Sequence, residues 1–217
     1  MNTRVALFDL DGTVLDTLDD LWHATNHALS LHGMPAHTRD EIRTFVGNGI
    51  AKLIERAVPP DTAPARREAV LQDFKVYYKL HCADSTHPYP GILEMLRALR
   101  RAGVRTALVS NKADFAVQKL AAHYFPELFD AVLGERAEIR RKPAPDMVFS
   151  VLKSLGESPE SAVFIGDSDT DVQTARNAGV SGLFVTWGFR DAHCLRQAGA
   201  TQLADTPEQL LQAILDT

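Results

Sequence analysis

The sequence predicts an α/β protein: a doubly wound parallel sheet with an all-helical segment inserted directly after the first strand. Three observations carry this. Short apolar runs at 5–8, 106–109, 162–165 and 182–185 are strand-like, and the later ones alternate with helical stretches, the pattern of a parallel sheet covered by helices on both faces. Between Asp16 and about Thr86 every periodic stretch is helical. Three of the apolar runs end in acidic or polar clusters, and open α/β sheets bind ligands outside the carboxyl ends of their strands.

Taken in order, residues 5–8 form a strand with almost no chain before it. Leu18, Leu21, Trp22, Thr25, Leu29 and Leu31 then mark one amphipathic helix, and Ile42, Phe45 and Val46 a second. Ile50, Leu53, Ile54 and Ala57 mark a third, and Val70, Phe74, Tyr77, Tyr78 and Leu80 a fourth. These spacings fit a helical period better than alternation. Pro88, Pro90 and Gly91 close the segment. Helix and strand then alternate: helix 92–101, strand 105–109, helix 115–123, strand 131–133, helix 146–155, strand 162–165, helix 171–178 and strand 182–185. Leu195, Leu203, Leu210 and Ile214 finish the chain. The expected division is a core of residues 1–15 and 88–217 and a helical cap of residues 16–87, with hinges at 15–17 and 87–90. A lid over that sheet edge excludes water and reads the substrate.

Composition narrows the function. The 217 residues carry a net charge of −5, with 45% hydrophobic and 24% charged residues, ordinary values for a soluble globular protein. There is no basic excess to match a nucleic acid; Arg66-Arg67, Arg100-Arg101 and Arg140-Arg141-Lys142 are short basic runs. Two cysteines, Cys82 and Cys194, are too few for a disulfide framework. With the first strand so early, no signal peptide is expected, and no apolar run approaches the roughly twenty residues of a membrane span. A cytoplasmic monomer or homodimer is expected.

Four segments carry chemistry. Asp9-Leu10-Asp11-Gly12-Thr13 follows the first strand. Two carboxylates at the end of a buried strand oppose stability unless something positive sits beside them; they suit a nucleophile and a proton carrier. Alone, the run also reads as a capped Asp-Gly turn. Ser110-Asn111-Lys112 ends a second strand, offering an anion its hydroxyl and amide or capping a helix. Lys142-Pro143 holds a lysine at a defined point, because proline fixes the backbone and starts the next helix. Gly166-Asp167-Ser168-Asp169-Thr170-Asp171 is a second acidic cluster at a strand end. Asp167 and Asp171 can converge on one cation, while capping accounts for Ser168 or Asp169. Mg²⁺ suits an all-oxygen site with retained waters.

In this order the four segments resemble the motifs of the haloacid dehalogenase-like phosphohydrolase superfamily, over the whole chain. The resemblance implies a Rossmann-like core, an aspartyl-phosphate formed on Asp9, and Asp11 as the acid and then the base. It implies Mg²⁺ held by Asp9, the Asp11 main-chain carbonyl and Asp167, with Asp171 beside them or orienting Lys142. Thr13, Ser110, Asn111 and Lys142 would hold the phosphoryl group. The dehalogenating branch lacks an aspartate where Asp11 stands, so halide chemistry is not expected. Within the insertion, Phe45-Val46-Gly47-Asn48-Gly49, together with Pro88-Tyr89-Pro90-Gly91, looks like the phosphoglycolate phosphatase branch, although Trp187 precedes Gly188 where that branch often has tyrosine. From the residues alone the Gly47-Asn48-Gly49 turn reads as a helix–helix turn or as N–H groups facing an anion, with Arg43 or Lys52 adding positive charge.

The expected activity is a Mg²⁺-dependent phosphatase of a small phosphorylated metabolite such as 2-phosphoglycolate. The alternatives are a phosphosugar mutase or pyrophosphatase of the same superfamily, or a receiver-like phospho-acceptor domain, which is much shorter and lacks the inserted helices. His23 and His27, four apart on a helix, and His81, Cys82 and His87 near a hinge are weaker candidates for metal sites. Trp22, Tyr77 and Tyr78 read as cap core.

Overall fold

Val5–Phe8 (β1) is buried throughout, as befits an uninterrupted apolar run in the middle of a parallel sheet. In the computed structural model, which describes residues 3–217, β1 pairs in parallel with β4 (Arg105–Ala113) on one side and β6 (Ala162–Gly166) on the other. β5 (Ala131–Glu135) extends the sheet beyond β4; β7 (Ser181–Val185) and β8 (Leu203–Ala204) extend it beyond β6. The chain thus runs outward through β4 and β5, then returns to the other side of β1. The carboxyl end of β1 lies at this reversal, where doubly wound sheets bind ligands.

Alternate residues of the central strands face opposite layers. Ala6, Phe8, Leu108, Val163 and Ile165 pack with α5 (Ile92–Arg101), α6 (Asp114–Tyr124) and α10 (Pro207–Asp216). Val5, Leu7, Ala107, Val109 and Phe164 pack with α7 (Asp146–Leu155), α8 (Asp169–Ala178) and α9 (Ala192–Ala198). The doubly wound α/β core read from the sequence is therefore the observed fold.

The helical stretch between β1 and the rest of the sheet resolves into α1 (Leu18–Leu31), α2 (Arg39–Phe45), α3 (Ile50–Ala57) and α4 (Pro64–His81). A capping box, with Thr38 and Glu41 satisfying each other's backbone, starts α2, and Pro64 opens α4. The 15–17 and 87–90 segments hold an unforeseen feature. Leu15–Asp16 (β2) and His87–Pro88 (β3) pair antiparallel. Two residues are too few to show alternation. Buried Asp20 reinforces the ribbon by accepting from the Ser85 and Thr86 backbone N–H groups at 2.8 and 2.9 Å. No helix among the described residues is long and apolar enough to cross a membrane.

Candidate active site

Asp9 leaves the end of β1 with its Oδ1 accepting from the Leu10 N–H at 2.7 Å. Lys142 Nζ lies 2.9 Å from the same oxygen and 2.8 Å from Asp171 Oδ1. Burial pushes the Asp9 carboxyl up to about 6; Lys142 opposes the rise, while Asp171 and Asp11 add to it. Burial works against the charge on Lys142, but Asp171 and Asp9 outweigh it and hold the ammonium above the ordinary lysine range. Asp167, at the end of β6, is pushed well above the usual carboxylate range by burial, then by Asp171 and Asp9.

Asp9, Asp167 and Asp171 each offer a carboxylate oxygen, all within 4.8 Å of one another. Among the described residues this is the one such group of three His, Cys, Asp or Glu side chains. Three converging carboxylates, with burial disfavouring the charge on Asp9 and Asp167, fit a hard divalent cation. Asp171 has commitments of its own. Its Oδ2 accepts from the Ser168 N–H and hydroxyl at 3.1 and 2.6 Å, capping α8, while Oδ1 takes Lys142. Asp167 is steadied by the Thr13 hydroxyl at 3.1 Å and the Phe189 N–H at 2.7 Å.

Glycines let these groups approach. Gly12 has φ +81, and a Cβ built there would overlap the Asp167 carboxylate. A Cβ at Gly188 would overlap Asp167 and the Gly12 carbonyl oxygen. Trp187 fixes the same loop by donating from Nε1 to the Thr13 carbonyl at 3.1 Å.

Asp11 is not one of the three converging carboxylates and has partners of its own. Its Oδ1 accepts from Lys112 Nζ and from the Thr17 hydroxyl, both at 2.7 Å. Lys112 comes from the end of β4, whose register with β5 shifts between Val109 and Ala113. Such irregularities re-aim side chains next to sites, and Ser110, Asn111 and Lys112 are all buried there. Asn111 donates to the Lys142 carbonyl at 2.9 Å, tying the lysine loop to β4. Burial opposes the charge on Lys112, but Asp11 and Tyr78 outweigh it and raise its pKa.

The helical segment reaches this edge. Gly47 and Gly49 line a cavity with Asp9, Asp11, Ser110 and Lys112, and about 40 Å³ of it is open. Gly49 has φ +80 and lies against the Asn111 carbonyl; Asn48 donates to the Thr170 hydroxyl at 3.0 Å. Arg43, from α2, does not point at the cavity: its guanidinium donates to the Phe189 and Gly188 carbonyls at 2.9 and 3.0 Å. Arg190 returns the contact to the Arg43, Thr44 and Val46 carbonyls at 2.8, 3.3 and 2.7 Å. Lys52 pairs with Glu55 on α3. The His23 ring lies tilted against Trp22, and Tyr77 stacks between His27 and His81.

Lys112, Arg190 and Gly188 are the site residues to which sequence reasoning gave no role. Lys112 was legible as the third residue of Ser110-Asn111-Lys112; nothing local marks Arg190.

The matched family model is the haloacid dehalogenase-like hydrolase, over residues 6–185. The chain belongs to this family. A phosphoglycolate phosphatase of Caulobacter vibrioides is 35% identical, the match covering 88% of this chain and 82% of that protein. Another, of Cereibacter sphaeroides, is 35% identical over 96% of this chain and 98% of its own length. A solved structure from Lactobacillus delbrueckii subsp. bulgaricus, provisionally named a phosphoglycolate phosphatase, superposes with a TM-score of 0.96 at 40% identity, covering both chains in full. Within the family the chain is a phosphatase, a phosphoric monoester hydrolase.

Proposed function

We propose that this family member is a Mg²⁺-dependent phosphatase that works through an aspartyl-phosphate on Asp9, with 2-phosphoglycolate as its substrate. The observation that carries the mechanism is the division of labour between two carboxylates two residues apart. Asp9 meets Lys142 and the acidic cluster; Asp11 meets Lys112 and Thr17 on the other side.

Asp9 Oδ attacks phosphorus in line with the departing oxygen, and Asp11 gives that oxygen a proton as the P–O bond breaks. Asp11 then takes a proton from the water that opens the acyl phosphate, restoring both carboxyl groups. Lys142, oriented by Asp171 and by the Asn111 tether on its carbonyl, neutralises phosphoryl oxygens. Ser110 completes the clamp. Asp9, Asp167 and the Asp11 carbonyl would hold Mg²⁺, and the ion, when bound, neutralises charge on the transferring group.

Residues 16–87 act as the cap. The small cavity, lined by Gly47 and Gly49 and by the cation Arg190, favours a short anionic leaving group, and the names of the curated relatives point the same way. The test measures phosphate release from 2-phosphoglycolate, neutral phosphomonoesters of similar size and a hexose phosphate, with and without Mg²⁺, in the parent and in Asp9→Asn. The expected result is a Mg²⁺-dependent preference for 2-phosphoglycolate and no turnover by a folded Asp9→Asn. A preference for the hexose phosphate rejects the substrate; turnover by the variant rejects the covalent mechanism.

A further inference from the structure

Lys112 is a buried cation that the reaction so far leaves without a task. Its side chain is 2% exposed. Desolvating an ammonium is costly unless it is well paired, and its ion-pair partner is Asp11, at 2.7 Å. The lysine arrives from the irregular end of β4. From the opposite side the Tyr78 ring of α4 covers it, 4.9 Å from Nζ to the ring centre. Tyr78 is itself buried, and its hydroxyl has no hydrogen-bond partner. Asp11 Oδ1 thus receives two donors from different directions: Lys112 from the sheet and Thr17 from the start of α1. Two donors on one oxygen fix the plane of the carboxyl group and leave Oδ2 to exchange a proton.

We propose that Lys112 is the positioning residue for Asp11, holding Oδ1 so that Oδ2 carries the proton to and from the leaving oxygen. This rests on the acid–base reading of Asp11 given above. A lysine that received the substrate's own anionic group would act on affinity rather than on proton transfer.

The experiment compares the parent, Asp11→Asn, Lys112→Met, Lys112→Gln and the double variant Asp11→Asn with Lys112→Met. The substrates are 2-phosphoglycolate, a poor leaving group, and 4-nitrophenyl phosphate, a good one. Circular dichroism confirms folding, and Lys112→Gln carries the same readout if Lys112→Met does not fold. Losing a charge-assisted hydrogen bond to the acid should lower kcat on 2-phosphoglycolate about ten- to hundredfold, with KM within about twofold. The loss on 4-nitrophenyl phosphate should be less than about threefold, because that leaving group needs little help from an acid. Adding Lys112→Met to Asp11→Asn should change kcat by less than about threefold, since the two act as one unit. Equal losses for both leaving groups, full additivity, or a rise in KM confined to the carboxylate substrate would overturn the role of Lys112 while Asp11→Asn keeps its leaving-group dependence. If Asp11→Asn itself lost that dependence, the acid–base reading of Asp11 would fall, and this inference with it.

Discussion

Replacing Lys142 with methionine removes the cation between two buried carboxylates, and the cost should depend on pH in a way the structure fixes. In the metal-free protein the Asp9 carboxyl titrates at about 6, against 3.8 for an ordinary aspartate. At pH 5 Asp9 is mostly protonated with or without Lys142, so the variant loses little there on its account. Above pH 6 the parent ionises Asp9 beside the ammonium, while the variant avoids an unpaired charge by keeping the proton. Keeping it costs at most about 1.4 kcal/mol per pH unit above 6, so roughly 1.4 kcal/mol at pH 7 and 2.7 kcal/mol at pH 8. The direction follows from linkage: a carboxyl whose folded pKa lies above its unfolded value binds more protons in the folded state, so stability falls as pH rises through that window. Lys142→Met raises the folded pKa further and extends the fall. The lost contact with Asp171 adds to the total. The assay is denaturant unfolding in EDTA from pH 5 to pH 8, parent against variant. A stability difference that stays constant across this range would show that Lys142 does not hold the charge of Asp9.

Two further outcomes follow from the close packing at the sheet edge. Gly188→Ala places a Cβ into Asp167 and the Gly12 carbonyl, so the Mg²⁺ concentration for half-maximal activity should rise at least about tenfold, the scale on which supporting groups tune metal affinity; an unchanged titration would place the metal away from Asp167. Arg190→Ala removes three contacts to carbonyls at the end of α2. It should speed limited proteolysis in the turn at 45–49 and lower stability by about 1–2 kcal/mol; resistance equal to the parent would mean that these contacts do not hold the turn.

The helical periods, the strand runs and the acidic strand ends were legible because each is written within a few consecutive residues. Helices 92–101 and 146–155 match α5 and α7 to the residue. The four segments come together because β1, β4 and β6 are adjacent in the sheet, and the α/β rule directs attention to their carboxyl ends. What stayed hidden depends on partners far away in sequence. Arg43 near a glycine turn reads as an anion receptor, yet its acceptors are carbonyls at 188 and 189. Thr13 reads as a phosphate ligand, and here its hydroxyl turns to Asp167. No spacing rule marks Lys112 as the partner of a carboxylate a hundred residues earlier. The β2–β3 ribbon was hidden for a different reason: its two-residue strands have no period.

The charges themselves show why two aspartates so close in sequence can do different work. A single cation shared by both would tie their protonation together. Instead each has its own lysine, delivered by a different segment. Lys142 comes from the loop before α7 and is fixed by Asp171, which also caps α8. Lys112 comes from the irregular end of β4 and is covered by α4. Asp9 sits among further carboxylates, where a divalent cation would relieve the repulsion and leave it ionised, as the proposed nucleophile must be. Asp11 is held instead between the sheet and the start of α1. Lys142, the partner of Asp9, thus meets Asp171 of the core, whereas Lys112, the partner of Asp11, touches α4 of the inserted helices. Displacement of α4 would therefore reach Lys112 and Asp11 before Lys142 and Asp9. In the proposed mechanism the acid–base step is in this way coupled to the inserted helices, while the phosphoryl clamp rests on the sheet edge.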